Sequence, residues 1–390
     1  MPSIRDLQAH AGAEFIAFGP PPAEGGAEIA HDFGRVELEY AAIRQRVAIM
    51  HLPQRGLLRV TGSDRQDFLH RMMTQDINAL AGGATTRAFQ LNEKGRIVAD
   101  AFVHHGDSDT WLELDRLDLP DLHKLLEGHL FTEDLAIEDF TPRREALALH
   151  GPAAIALARQ LHETGTDPGD IAPGTHHVLS LAGTTVTAYR HDDAGVPCLR
   201  LLADAARAGE LYAALLAAAG YEPGGDEQAD AAYAERRRQT LRGRPVGWAA
   251  YNTARIEAGS PLFHVDFGPD SLPPETGLQD ATVSFNKGCY IGQEVVARIH
   301  SLGHPRRVLV GLRFDTDELP VAGTQILNDD ADPSKILGGI TSSTLSPLRG
   351  GAAIAFAVVK WGQHEPDTRL TTFAEGRPVK ATVQGLRFIE

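Results

Sequence analysis

The chain has 390 residues, and single hydrophobic cores stop growing near roughly 250, so two or three domains are predicted. Its composition, 43% hydrophobic and 23% charged, is that of a globular protein, and no stretch approaches the roughly 18 unbroken apolar residues of a membrane helix. A formal charge of −15 opposes broad nucleic-acid binding, while two distant cysteines, Cys198 and Cys289, with no CxxC pair exclude a disulfide framework and suit a reducing cytoplasm.

The opening "MPSIRDLQAHAGAEF" lacks the basic start and apolar run of an export signal. "GLLRVTG" reads as a strand, and Ser63 with Gln66 three residues later has capping-box spacing at the head of a helix. In that helix Phe68, Leu69, Met72, Met73 and Ile77 form a core stripe. "RAFQLNEKGRIVADAFVHH" and "TWLEL" read as an antiparallel meander. On strand alternation Asp100 shares a face with Val98, Phe102 and His104, so a carboxylate lies among apolar neighbours and wants a partner.

Further on, "LPDLHKLLEGHL" is a helix with proline in its first turn, and "ALALHGPAAIALARQL" is strand, turn and helix. Strands follow at "TTVTAYR" and "CLRLL", then a helix closed by Gly220. Beyond "RRVLVGLRF", short apolar runs between turns predict a terminal β-domain. The mixture of short strands and helices without regular βαβ spacing makes the fold class α+β.

No GxGxxG, P-loop, GxSxG or HExxH motif is present, and the 17 histidines show no ligand spacing, so no metal is predicted. Two arginine-rich runs, "ERRRQTLRGRP" and "ARIHSLGHPRR", read either as solvated faces of an acidic protein or as an entrance for an anionic small molecule. In "YNTARIEAGSPLF", Glu257 near Arg255 is either half of an ion pair or an acceptor for the paired N–H donors of a heterocycle. In "KGCYIGQE", Cys289 precedes a helix start and lies near Lys287; both features favour thiolate, and an inert buried cysteine is the alternative.

These stretches resemble a known family. "KGCYIGQ" is similar to the signature of the YgfZ-type folate-binding proteins, relatives of the glycine-cleavage T-protein (aminomethyltransferase). "LNEKGRIVADAFV", "NTARIEAGSPLFHVDF" and "GGITSSTLSPLRGGAAIAFAVV" also look like T-protein segments, and the likeness runs from about residue 40 onward. It implies a three-domain cloverleaf around a central folate channel. Residues 1–56 and 142–305 would form a split first domain, 57–141 an inserted one, and 306–390 a C-terminal β-barrel. It further implies tetrahydrofolate, or a one-carbon derivative, held by Asp100 and Glu257 with Tyr290 and Arg298 alongside, and chemistry at Cys289, Lys287 and Asp100. Ala99-Asp100 in place of paired acids, and a cysteine in the later motif, set the chain apart from T-proteins. The leading expectation is a cytoplasmic tetrahydrofolate-binding protein supporting iron–sulfur client enzymes. The alternative is aminomethyl transfer from a lipoyl carrier protein to tetrahydrofolate.

Overall fold

The computed structural model describes residues 2–225, 231–238, 240–332 and 334–389, in two compact units. The first comprises Met1–Gln66, Ala79–Thr86 and Ala101–Tyr251; the second comprises Asp67–Asn78, Arg87–Asp100 and Asn252–Glu390. The fold is α+β with a closed terminal barrel. The boundary between units passes through the strands Ala84–Leu91 and Ile97–His105, so compactness alone does not set 57–141 apart as a body of its own.

The first unit is built on a seven-stranded sheet in the order His162–Gly165, His176–Leu181, Thr184–Arg190, Cys198–Asp204, Arg144–His150, Ala48–His51, Arg244–Pro245. Strand alternation divides its side chains. Leu147, Leu149, Leu199 and Leu201 point to one face, where the helices Ala154–Leu161 and Ala208–Ala218 cover them with Leu157, Leu211 and Leu215. Each such leucine contributes about 2 kcal/mol of apolar burial. The opposite face carries Tyr189, Arg200 and His150, and the register Tyr189↔Arg200 and Cys198↔His150 sets these side by side.

The meander forms as predicted. Its sheet runs Ala84–Leu91, Ile97–His105, Asp109–Asp115, Arg55–Thr61, Ala136–Asp139. The helix expected after Ser63 is shorter than its apolar stripe, spanning only Arg65–Met72. Met73 instead bridges to Gln90 and the Thr74 amide donates to the Phe89 carbonyl at 2.9 Å, so strand pairing replaces helix continuation. The stripe is still core: Phe68, Leu69, Met72, Met73 and Ile77 are all buried. At its start the Ser63 hydroxyl donates to Asp134 and the Gln66 side-chain amide to the Leu80 carbonyl.

The second unit is dominated by the six-stranded barrel, in the order Arg307–Phe314, Ala352–Lys360, Ile336–Ser346, Gln325–Leu327, Arg369–Ala374, Arg377–Gln384. Leu312, Phe314, Ile326, Ala355, Leu370 and Val383 fill it. On its outer side Leu309, Ile354, Phe356 and Phe388 receive Ile256 from the helix Trp248–Ala258. Gly259 ends that helix at φ +81, and a Cβ there would stand 2.8 Å from the Arg387 amide nitrogen.

Candidate functional site

In the second unit, Asp100 finds its partner one strand away. The Arg87 Nε donates to Oδ1 at 2.8 Å and the second guanidinium nitrogen donates to Oδ2, a two-point pair that fixes the plane of a carboxylate only 8% exposed. The partner expected from alternation is therefore an arginine of the same hairpin.

Glu257 and Arg255, two apart on a helix, point to different sides. Arg255 turns to Asp266 at 2.5 Å, and Asp266 in turn accepts from Ser342 and Thr341 of the barrel. Glu257 is fully buried and accepts from the Ser346 hydroxyl and, at 3.5 Å, the Leu348 amide. Both thus join the helix Trp248–Ala258 to barrel residues.

Within "KGCYIGQE" the residues separate by role. Cys289 is exposed, in a turn ahead of the helix Gln293–Leu302. That turn ends on Gly292 at φ +80, where a Cβ would stand 2.5 Å from the Asn92 carbonyl; only glycine permits the approach. Lys287 is not left facing the thiol alone. Its ammonium donates to the carbonyls of His70, Met73 (2.6 Å) and Gln75 (2.8 Å), closing the end of the helix Arg65–Met72 and using all three of its donors. Burial pushes the Lys287 amine down to about 8. Tyr290 packs with Phe89, Leu91, Ile97 and Val296, has Lys287 Nζ 5.2 Å from its ring centre, and is raised by burial to about 12. Arg298 is exposed on the helix.

The first unit holds a polar layer that motif reading does not find. Glu113 accepts from Arg55 Nε at 2.9 Å and from the Tyr189 hydroxyl at 2.7 Å, with His104 Nε2 at 3.5 Å. Burial works to raise the Glu113 carboxyl, but the Arg55 and His104 partners outweigh it and hold it well below the ordinary range. His104 and His176 share the Thr85 hydroxyl at 2.9 and 3.1 Å.

Beside them Asp193, from the hairpin between Thr184–Arg190 and Cys198–Asp204, accepts on Oδ2 from Arg200 and, at 2.6 Å, from the Tyr251 hydroxyl. Its Oδ1, the Arg200 Nε and both ring nitrogens of His150 are buried with no hydrogen-bond partner. Buried polar groups of this kind call for water or a polar partner. The donor atoms of His150, Asp193 and Cys198 also lie within 4.8 Å of one another. A divalent ion there would meet the Arg200 cation already neutralising Asp193, and Cys198 is raised well above the ordinary thiol by burial, so the arrangement favours no metal. No short motif encodes this layer. His150 and Cys198 are distant in sequence and meet only through strand register.

The body just described, a mixed α+β unit followed by a closed barrel, defines a class. It is the fold of the crystal structure of glycine cleavage system aminomethyltransferase T from Bartonella henselae, with a TM-score of 0.83 at 22% identity over 99% of this chain and 97% of that one. Residues 5–237 match the GCVT N-terminal domain and residues 307–390 the glycine cleavage T-protein C-terminal barrel domain, so the chain belongs to the glycine-cleavage T-protein family. It is 27% identical to an aminomethyltransferase of Geobacillus kaustophilus, over 98% of this chain and 96% of that protein. It is likewise 27% identical to a probable aminomethyltransferase of Natronomonas pharaonis, over 100% and 99% of the two chains. Among the described residues no helix is long and apolar enough to cross a membrane.

Proposed function

We propose that the chain binds tetrahydrofolate and passes a one-carbon unit to it, as an aminomethyltransferase drawing on a lipoyl carrier protein in the cytoplasm. The observation that carries this reading is likeness to aminomethyltransferases along nearly the whole length of both chains. Asp100 supplies the chemistry. A carboxylate whose plane is fixed by Arg87 stabilises positive charge growing on a folate nitrogen without having to reorganise during the reaction.

For the pterin end, a carboxylate must accept two N–H donors of an aminopyrimidine. Glu257 is the acid named by motif, and its Oε1 already accepts from Ser346. Tetrahydrofolate binding by Glu257→Gln tests this acid directly: a loss of about 10-fold supports it, and unchanged affinity removes it. Incubating the protein with an aminomethylated lipoyl carrier and tetrahydrofolate should release ammonia; release no faster than without protein removes the transferase reading.

A second reading is favoured by one observation, the exposed Cys289 in "KGCYIGQE". In it the folate-loaded protein supports iron–sulfur enzymes through that thiol, as in the YgfZ-type proteins. Its mark is a Cys289→Ser variant that binds folate normally yet fails to restore activity to an oxidatively damaged iron–sulfur enzyme in cells. Full restoration by that variant rejects it.

A further inference from the structure

The hairpin of Ala84–Leu91 and Ile97–His105 carries both members of the Arg87 and Asp100 pair, and its tip is fastened by residues of "KGCYIGQE" in the same unit. Gly292 stands over the turn. A Cβ in its place would lie 2.5 Å from the Asn92 carbonyl oxygen and 3.0 Å from the Gly95 Cα, while a Cβ on Gly95 would lie 2.9 Å from that of Val295. Two glycines at φ +80 and +73 thus let two turns meet backbone to backbone.

Tyr290 holds the next stretch of the hairpin, its buried ring packed with Phe89 and Leu91 of one strand and Ile97 of the other. Lys287 acts one step back. The carbonyls it caps belong to His70, Met73 and Gln75, and between them Thr74 is bonded twice to Phe89: its amide donates to the Phe89 carbonyl and its hydroxyl accepts from the Phe89 amide, both at 2.9 Å. Phe89 lies two residues from Arg87 and Ile97 three from Asp100, so the fastened points stand within about 10 Å of the pair along strands that rise about 3.3 Å per residue. A shift at the tip reaches the carboxylate.

We infer that Tyr290 and Gly292 are positioning residues for Asp100, acting on the one-carbon chemistry by fixing the hairpin rather than by touching folate. The role of Asp100 rests on the proposed transferase activity; the fastening of the hairpin does not. A catalytic group misplaced by about 1 Å loses about 100-fold in rate, so even partial release is measurable.

Two measurements on the full chain test the assignment. Hydrogen exchange read by mass spectrometry needs no folate, and residues 87–100 should exchange about 10-fold faster in Tyr290→Leu and in Gly292→Ala than in the parent, with the barrel strands from Arg307 to Gln384 unchanged. Turnover of an aminomethylated lipoyl carrier with tetrahydrofolate should fall about 10-fold in kcat in either variant, and Tyr290→Phe, which keeps the ring, should recover most of that loss. In an Asp100→Asn background Tyr290→Leu should cost less than about 2-fold more, because no positioned carboxylate is left to displace. Unchanged exchange in 87–100, acceleration spread equally over the barrel, a full multiplicative loss in the double variant, or Tyr290→Phe as impaired as Tyr290→Leu each overturns the assignment. A parent without turnover removes the transferase activity instead, and local exchange then still supports the fastening while uniform exchange overturns it.

Discussion

Arg87 and Asp100 face each other across one hairpin, joined by two hydrogen bonds, with both side chains mostly withdrawn from water. Removing the arginine leaves a carboxylate buried without compensation. Arg87→Met should therefore cost about 3 kcal/mol in urea unfolding, and Asp100→Asn less, because the neutral amide keeps one acceptor for Arg87 and the guanidinium left behind is 18% exposed against 8% for the carboxylate. Equal losses would mean that the pair contributes through packing alone.

Lys287 ties the "KGCYIGQE" segment to the end of the helix Arg65–Met72. Lys287→Met should destabilise at pH 7 by about 1–3 kcal/mol, since buried carbonyls lose their donors. The titration has a definite sign. The folded amine loses its proton near pH 8 while the unfolded one keeps it to about 10.5, so this group makes stability rise between those values. Unfolding curves at pH 8 and pH 10 should show that rise in the parent and a smaller one in the variant.

His150 supplies the opposite end of the scale. Burial pushes it down to about 4, so the unfolded chain takes up protons, from about pH 6.5 downward, that the folded one refuses. Stability should fall as pH drops through that window, and His150→Leu should flatten the fall. At pH 7 the same change should alter stability by no more than about 1 kcal/mol, because an apolar residue replaces a ring with no hydrogen-bond partner.

The two thiols differ in access. Cys289 is exposed and Cys198 buried, so a thiol reagent should modify one cysteine per native chain and two after denaturation, with Cys289→Ser abolishing the native reaction. Rapid native modification of Cys198 would show that the first unit opens.

Much of this architecture is legible in the residues. The meander, the helices after Leu119 and Ala153, and the terminal β-domain all follow from period-2 and period-3.6 patterns. Asp100 stands out because a carboxylate interrupts an apolar strand face. What stays hidden depends on register. Arg87 becomes its partner only when the hairpin aligns the two strands, and Asp193 meets Arg200 only when the hairpin turn folds back. Glu257 shows the converse limit, for a motif names the acid but not the Ser346 hydroxyl that occupies it. The helix Arg65–Met72 ends early because an apolar stripe reports burial, and burial serves a bridge as well as a helix turn.

Tetrahydrofolate affinity, measured by calorimetry for the parent chain and for Asp100→Asn, Glu257→Gln and Cys289→Ser, tests the central claim most directly. The account predicts that the parent binds, that Asp100→Asn and Glu257→Gln each lose about 10-fold or more, and that Cys289→Ser is unchanged. A parent chain with no measurable affinity, or four proteins that bind alike, would contradict it.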